Sequence, residues 1–520
     1  MEPLVMTFDF GTQSVRASIY DAQGNCLIAE KEPYRPAYFA TKPWYAEQDP
    51  EYYFQCLCSC TKRISEKKPE LIDQVEAITM TCFRDSAVLL DKDNKVLRPM
   101  ILWLDQRMAK CEEKLPFISR LAFALVGKTG TIEINRRRTM ANWVRENEPE
   151  IWDKCAKYVA ISTYFIYRLT GELVDCPSDF TGHYPLDYKK REWYKEPTKH
   201  LQGQVFGVRK DQLCKLVPGE ALLGEISEEA AKLTGLKAGM KMYAAGSDKS
   251  CETLGTGVTD ETYCSISLGT ACTVETTSKK FISPAPFLPA YPNVLPDRYN
   301  VDIQIYRGFW MINWFLSQFA GVDIEDVALA DINPQEYNEK LHEVPPGSSG
   351  LIVQPFWGSN LDKPETKGLI IGFSDSVTKE HVYRAIIEGI TYELREAKER
   401  FEKSIGHKFE AVRIAGGGAR SPEICQIIAN ILGTRVEKVQ TIETSSLGAA
   451  MSGFLSIKKY ASPEEAVKAM VRKGDSYEPD PKEQAVYDEL YENVYKKLYP
   501  KLKDTYKYLY DFSLRTGEND

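Results

Sequence analysis

The stretch LVMTFDFGTQSVRASIY, residues 4–20, predicts a strand, a tight turn at Gly11-Thr12 and a second strand. The stretch YCSISLGTACTV, residues 263–274, repeats this order with a turn at Gly269-Thr270. Two such units in halves of similar length form a weak internal repeat. The repeat predicts a duplicated two-domain protein, and we place the boundary near Gly255.

Helices and strands alternate through the rest of the chain, which predicts an α/β architecture. Ser421-Pro422 is typical of a helix N-cap followed by proline at the first helical position. We expect that helix to run to Leu432 and to end at Gly433. Ser462-Pro463 predicts another helix start, with Glu465 at the spacing of a capping box.

Composition narrows the class of protein. The chain has 520 residues, of which 43% are hydrophobic and 27% charged, and its net charge is −8. No long basic stripe occurs, so nothing favours nucleic acid as a partner. The 13 cysteines are scattered through apolar stretches, which suits reduced thiols. The N-terminus has no signal-like segment and no apolar run reaches about 18 residues, so we expect a cytoplasmic protein that does not enter a membrane.

Three glycine sites have the chemistry of a phosphate cradle. Gly11-Thr12 and Gly269-Thr270 provide backbone N–H groups without an obstructing Cβ. The third site, Gly416-Gly417-Gly418, lies between a strand and the helix capped by Ser421, where a ring or phosphate can rest on backbone at a helix N-terminus. Each site alone is also typical of an ordinary tight turn.

Two aspartates follow or precede such turns. Asp9 comes directly before the first turn, where its carboxylate could hold Mg²⁺ through water. Asp248 follows the apolar run 242–245, and a carboxylate at a strand end could accept the proton of a substrate hydroxyl. The alternative is that Asp248 only caps a helix over 249–254. Spacing does not separate these two interpretations.

Five segments together resemble the FGGY carbohydrate kinases, in the family's order. They are FDFGTQSVR at 8–16 (phosphate 1), GSD at 246–248 with LGTG at 254–257 (catalytic base), SLGT at 267–270 (phosphate 2), IAGGG at 414–418 with ETSSLGAA at 443–450 (adenosine) and the second family signature at 368–388.

The resemblance implies an α/β, duplicated ribonuclease-H-like fold, that of the actin-like ATPases, with ATP and Mg²⁺ in a cleft between two domains. Residues 1–255 would carry sugar binding, phosphate 1 and the base; residues 256–520 would carry phosphate 2, adenosine binding and C-terminal helices. Asp248 becomes the general base and Asp9 a magnesium-associated carboxylate. The implied nucleotide contacts are Thr12, Gln13, Ser14, Arg16, Gly269, Thr270, Asn313, Gly416, Gly417 and Ser421. Family members are often oligomeric, so a homodimer or homotetramer is expected by analogy.

On the substrate side, Arg84-Asp85 resembles the Arg-acid pair of glycerol kinases and autoinducer-2 kinases. The pair could bind adjacent hydroxyls as donor and acceptor, or it could be a surface salt bridge of little value. Trp103 could cover an apolar sugar face. Lys249, beside the base, is a further candidate for substrate contact.

Two positions depart from the family pattern and count against glycerol. Met140 stands where the first family signature has a basic residue, and Asn135 stands where glycerol kinases carry a tyrosine. The basic run at 136–138 and Lys249 could bind an anionic substrate, although such a run is more often a solvated face.

We therefore predict a carbohydrate kinase that transfers phosphate from Mg-ATP to a hydroxyl of a small sugar, ketose or polyol, with Asp248 as the base. One alternative is an autoinducer-2-type kinase of a signalling polyol. A more remote alternative is a non-metabolic actin-like ATPase. The sequence leaves the acceptor, its reacting hydroxyl, any allosteric control and the oligomeric state open.

Overall fold

The computed structural model describes residues 2–42, 44–284, 289–321, 335–358, 363 and 365–516. These residues divide into two compact units, each of mixed α/β structure. The first unit comprises Met1–Gly255, Tyr291–Tyr299 and Ser445–Met470, and the second comprises Thr256–Ala290, Asn300–Thr444 and Val471–Asp520. Each unit is thus assembled from segments that are distant in the sequence.

The first unit contains most of the short strands of the protein. Its strands are Leu4–Phe10, Ser14–Tyr20, Cys26–Pro33, Glu47–Gln48, Val75–Cys82, Ala87–Leu90, Met100–Ile101, Lys157–Ala160, Val174–Asp175, Leu186–Asp187, Glu192–Trp193, Lys215–Leu216, Leu222–Glu225, Lys241–Tyr243 and Tyr291–Pro292. Its α-helices are Pro50–Lys67, Pro69–Ile72, Phe117–Leu125, Thr129–Arg138, Met140–Asn147, Pro149–Lys154, Ile161–Thr170, Glu228–Thr234, Asp248–Gly255, Thr444–Ser456 and Pro463–Met470, with 3-10 turns at Pro177–Asp179, Gly203–Val205 and Lys210–Gln212.

The second unit has longer helices. Its strands are Tyr263–Leu268, Cys272–Ser278, Tyr299–Ile305, Ile352–Gln354, Leu369–Ile371, Ala411–Ala415, Val436–Val439 and Lys473–Tyr477. Its helices are Trp310–Phe319, Gln335–Glu339, Lys379–Ile405, Pro422–Leu432, Pro481–Leu490 and Lys496–Arg515, the last preceded by a π-helical turn at Tyr491–Tyr495. Short 3-10 turns lie at Lys340–Glu343, Ser348–Gly350 and Gly417–Arg420.

The main sheet of the first unit has a central strand, Leu4–Phe10, that is buried except at Asp9. This strand pairs antiparallel with Ser14–Tyr20 on one side and parallel with Val75–Cys82 on the other. A strand covered on both faces needs a nearly continuous apolar run, which is what residues 4–10 supply. The polar side chain of Asp9, at the carboxyl end of this strand, therefore lies at the edge of the core.

The main sheet of the second unit repeats this arrangement. Tyr263–Leu268 pairs antiparallel with Cys272–Ser278 and parallel with Ala411–Ala415. The predicted internal repeat is confirmed at the level of topology, because each unit has a tight hairpin whose first strand is flanked by a parallel third strand. The Gly11 and Gly269 turns occupy the same place in the two sheets.

Local capping signals also agree with the structure. Ser421 accepts a hydrogen bond from the Ile424 backbone N–H at 3.3 Å, and Gly433 ends that helix with φ +58°. Ser462 accepts from the Glu465 N–H at 3.2 Å. Within the described part of the chain, no helix has both the length and the apolar character needed to cross a membrane.

Candidate functional site

The Gly11 turn is closed by a hydrogen bond of 3.0 Å from the Gly11 N–H to the Ser14 carbonyl. This bond leaves Thr12 and Gln13 at the tip, where Gln13 is exposed. The Trp103 indole Nε1–H donates to the Thr12 hydroxyl at 3.1 Å. The structure therefore brings together a residue predicted to contact nucleotide, Thr12, and one predicted to contact substrate, Trp103.

Asp9 lies at the carboxyl end of the central strand and is partly buried. Arg16 is its partner in the antiparallel register, so the two side chains share a face of the sheet. The Ser446 hydroxyl donates to Asp9 Oδ2 at 2.8 Å. A partly exposed carboxylate is a hard oxygen ligand, which fits Mg²⁺ bound mainly through water.

Asp248 is the first residue of the helix Asp248–Gly255, and its Oδ1 accepts from the Lys249 backbone N–H at 2.8 Å. Burial raises the pKa of the Asp248 carboxyl above its ordinary value, and the positive charges of Lys249 and Arg84 oppose that rise. The carboxylate is therefore flanked by two cationic side chains that were predicted to lie on the substrate side. Asp248 is thus the first residue of a helix, and its raised pKa would suit a general base.

Two hydrogen bonds join the turn that carries Asp248 to the segment 176–179. The Ser178 hydroxyl donates to the Ala245 carbonyl at 3.0 Å, and the Ser247 N–H donates to the Ser178 carbonyl at 3.4 Å. A Cβ on Gly246 would lie only 2.8 Å from Ser178 Oγ. Glycine is needed at 246 because the two segments approach so closely.

Two buried carboxyl groups stand next to this contact. Asp175 accepts hydrogen bonds from Ser162 at 2.7 Å and Thr163 at 2.6 Å, and the Cys176 thiol donates to Asp179 at 2.9 Å. Burial, followed by the proximity of Asp175, raises the pKa of Asp179 well above its ordinary value. Two like charges this close are costly to keep in a buried place, so the protonated form of Asp179 is favoured.

The Arg84-Asp85 pair is divided between two sets of partners. The Arg84 guanidinium lies 5.8 Å from the centre of the Tyr291 ring and acts electrostatically on Asp248. The Asp85 carboxylate accepts from the His183 backbone N–H at 3.2 Å and is 2.8 Å from the His183 ring Nδ1. Asp85 is thus fixed by protein.

Lys249 also has a protein partner. Its ammonium lies 2.7 Å from the Glu252 carboxylate, and the exposed fractions of the two side chains are only 15% and 7%. This ion pair holds a positive charge beside the base within a largely buried environment.

In the second unit, the Gly269-Thr270 turn is joined to the start of a helix. The Phe309 N–H donates to the Gly269 carbonyl at 3.0 Å, and the Trp310 N–H donates to the Thr270 carbonyl at 3.3 Å. Asn313 is partly exposed on the first turn of that helix, Trp310–Phe319. Three predicted nucleotide contacts, Gly269, Thr270 and Asn313, therefore lie on two connected elements.

The three successive glycines differ in their surroundings. Gly416 has φ +86°, and a Cβ there would lie 3.0 Å from the Leu268 backbone. A Cβ on Gly418 would lie 2.6 Å from the Phe309 ring, whereas a Cβ on Gly417 would meet no atom within 4 Å. Gly416 and Gly418 are packing glycines, and Gly417 is the exposed one that is open to a ligand.

Ser421 is placed differently from the other predicted nucleotide contacts. It is buried, its hydroxyl accepts from the Ile424 N–H, and the same hydroxyl donates to Glu423 at 2.7 Å. The structure gives Ser421 a capping role, and its predicted contact with nucleotide stays a prediction.

Sequence reasoning assigned no individual role to four residues of the first unit: Ser178, His183, Glu252 and Ser446, the last of which lies within the segment 443–450 that was attributed to adenosine. Only Glu252 had a local signal, because it follows Lys249 at helical spacing of three. The other three contact partners that are 67, 98 and 437 positions away in the sequence. No short-range pattern reports such contacts.

Comparison with known proteins places this geometry in a family. The model of the N-terminal domain of the FGGY family of carbohydrate kinases matches residues 4–255, and that of the C-terminal domain matches residues 264–457. A xylulose kinase of Lactococcus lactis is 29% identical over 493 residues, covering 94% of each chain. A gluconokinase of Bacillus subtilis is 25% identical, covering 93% of each chain.

Solved structures show the same fold. Xylulose kinase from Lactobacillus acidophilus matches with a TM-score of 0.81 and 23% identity, covering 98% of this chain and all of that one. Plasmodium falciparum glycerol kinase with ADP matches with a TM-score of 0.75 and 18% identity, covering 95% and 98% of the two chains. With both family models matched in order, this chain belongs to the FGGY family of carbohydrate kinases.

Proposed function

We propose that this kinase transfers the terminal phosphoryl group of ATP to a hydroxyl of a small sugar, ketose or polyol, with Asp248 as the general base. The observation that carries the proposal is the placement of Asp248, a carboxylate of raised pKa at a helix start with Arg84 and Lys249 beside it. As the new O–P bond forms and the bond to ADP breaks, the hydroxyl proton passes to the Asp248 carboxylate. The base then returns this proton to solvent.

The raised pKa of Asp248 suits this role. A carboxylate of ordinary pKa is a weak proton acceptor at neutral pH, and burial strengthens it. The hydrogen bond from the Lys249 N–H fixes one oxygen, Oδ1. This bond orients the carboxylate before the acceptor arrives.

The residues for the donor are expected on both hairpin turns. Thr12, Gln13, Ser14 and Arg16 are the candidates in the first unit, and Gly269, Thr270, Asn313, Gly416 and Gly417 are those in the second. The exposed, unobstructed Gly417 supports close approach of a ligand to backbone. Asp9 would hold Mg²⁺, which supplies positive charge to the phosphates.

A sugar acid is the second candidate acceptor class. Arg84 and Lys249 place two positive charges around the base, and a carboxylate of the acceptor would compete with Glu252 for Lys249. One of the relatives is named a gluconokinase, and gluconate is a sugar acid. An uncharged ketose is the first candidate because the xylulose kinase of Lactococcus lactis is 29% identical, against 25% for the gluconokinase.

The test is ADP release with Mg-ATP across a panel of acceptors. The panel contains glycerol, erythritol, pentitols, ketopentoses including D-xylulose, sugar acids including D-gluconate, and the autoinducer-2 precursor. Stimulation by one compound, lost in Asp248→Asn, names the acceptor and supports the base. ATP turnover that ignores every compound and the substitution would support the non-metabolic ATPase instead.

A further inference from the structure

We infer that His183 is a specificity-determining residue whose ring Nε2 accepts a hydrogen bond from a hydroxyl of the sugar or polyol acceptor. The inference rests on the proposed function. It assigns to His183 the contact with substrate that the sequence assigned to the carboxylate of Asp85.

The position of the Asp85 carboxylate is fixed by its backbone and its neighbour. Asp85 has φ +57°, a left-handed conformation that is uncommon for residues other than glycine. Gly182 has φ +75°, and a Cβ there would lie 3.0 Å from the Asp85 carboxyl group. Because Gly182 lies so close to Asp85, the next residue, His183, contacts the Asp85 carboxylate.

Both oxygens of Asp85 are engaged by His183. Oδ1 accepts from the His183 backbone N–H at 3.2 Å, and Oδ2 is 2.8 Å from ring Nδ1. A carboxylate oxygen accepts hydrogen bonds, so ring Nδ1 is the donor to Oδ2. In that tautomer, Nε2 has its lone pair directed away from Asp85 and can accept a hydrogen bond.

The imidazole is held in place and is still accessible. The exposed fraction of the His183 side chain is 17%, and that of Asp85 is 25%. Within the described ranges of the chain, Nε2 has no hydrogen-bond partner. An acceptor atom that is already fixed at a partly open surface is suited to a polar ligand. The reason is that little conformational entropy of the His183 side chain is lost when a hydroxyl binds.

The surrounding elements place His183 on the acceptor side. Its segment touches the turn of the base through Ser178, which donates to Ala245 at 3.0 Å. At its other end it contacts Asp85, whose neighbour Arg84 acts on the Asp248 carboxylate. His183 therefore belongs to the same local assembly as the proposed base.

Two substitutions separate a contact with substrate from a purely structural role. His183→Asn puts an amide near the place of Nδ1, so it can keep the bond to Asp85 and deletes the Nε2 edge. His183→Gln can reach the place of Nε2 and gives up the bond to Asp85. A structural role makes Asn the milder change, whereas a contact with substrate makes Gln the milder one.

The experiment measures kcat and KM for D-xylulose, D-gluconate and any other panel compound that is phosphorylated, together with KM for ATP. Loss of one neutral hydrogen bond predicts a rise of about three- to tenfold in KM for the acceptor in His183→Asn. We expect a smaller rise in His183→Gln, and KM for ATP within twofold of the parent in both. An unchanged melting temperature shows that each variant folds.

The outcomes separate this inference from the function on which it rests. An enzyme that phosphorylates an acceptor, but whose His183→Asn variant keeps its KM within twofold, overturns the role of His183 and leaves the proposed function standing. A larger rise in KM for Gln than for Asn also overturns it. Failure of every acceptor overturns the proposed function and the role of His183 with it.

Discussion

The hydroxyl of Ser446 donates a 2.8 Å hydrogen bond to Asp9, although 437 positions separate the two residues in the sequence. Ser446 lies at the start of the helix Thr444–Ser456, and Asp9 at the end of the central strand of the first unit. This contact fixes the carboxylate that is proposed to hold Mg²⁺. Ser446 is therefore a positioning residue, which acts through Asp9.

We predict that Ser446→Ala weakens the response to Mg²⁺. A carboxylate that loses one orienting hydrogen bond, worth about 0.5–1.5 kcal/mol, samples more orientations. The concentration of Mg²⁺ that gives half-maximal activity should rise about threefold, while KM for the acceptor stays unchanged. Titration of activity with Mg²⁺ at saturating ATP measures this. Ser446→Thr keeps a hydroxyl and serves as the control, and equal Mg²⁺ dependence in all three proteins contradicts the assignment.

The pH dependence of kcat should report Asp248. The base must be ionised, and its pKa is raised by burial, so activity should fall on the acid side at a pH above the ordinary value of 3.8. Arg84 lowers this pKa and Glu252 raises it. Arg84→Gln should move the acid limb to higher pH, and Glu252→Gln should move it to lower pH.

These two opposite shifts form an internal control. Profiles of kcat at saturating acceptor and Mg-ATP remove effects on binding from the comparison. Shifts of the same sign in both variants, or an acid limb that survives in Asp248→Asn with residual activity, would assign the titration to another group.

We predict that replacement by alanine has different effects at Gly416 and at Gly417. Gly416→Ala places a Cβ 3.0 Å from the Leu268 backbone at φ +86°, so we expect a loss of stability of about 1–3 kcal/mol. Gly417→Ala meets no atom within 4 Å and should fold normally. If nucleotide rests on that backbone, Gly417→Ala should raise KM for ATP about fivefold or more, because a methyl group blocks the approach. The melting temperature and the KM for ATP of both variants test this prediction. An unchanged KM for ATP in Gly417→Ala would contradict a direct contact between the nucleotide and Gly417.

Local patterns predicted the parts of this fold that depend on neighbouring residues. The apolar run at 4–10 and the glycine after it specify a buried strand and a tight turn, and the same holds for 263–270. Ser421 and Gly433 mark helix ends because capping needs only residues three or four positions apart. These elements carry Asp9, Thr12, Gly269 and Thr270, so part of the candidate site came with them.

The contacts that orient the site could not be predicted in this way. Asp85 was expected to bind substrate directly, and its partner His183 lies 98 positions away. The predicted second domain, residues 256–520, also included Ser445–Met470, whereas the structure places this segment in the first unit. Such pairings depend on tertiary packing, which residue spacing along the chain does not encode.

The buried pair of carboxyl groups, Asp175 and Asp179, should make the stability of the fold depend on pH. Burial raises the pKa of Asp179 well above its ordinary value, so the folded state binds a proton that the unfolded state releases above about pH 4. Stability must then fall as pH rises from about 4 toward the folded pKa of Asp179, because the folded state binds more protons than the unfolded state.

Asp179→Asn should weaken this dependence. The asparagine amide can donate to Asp175 without a titrating proton, and its oxygen can still accept from Cys176. We expect a melting temperature at pH 8 that equals or exceeds that of the parent, and a flatter profile between pH 5 and pH 8. Asp179→Ala should destabilise by about 1–3 kcal/mol instead, since it leaves a cavity and a buried carboxylate without its donor. Thermal unfolding of the three proteins across this pH range tests the prediction. An Asn variant that loses as much stability as the Ala variant would contradict a protonated Asp179 in the folded state.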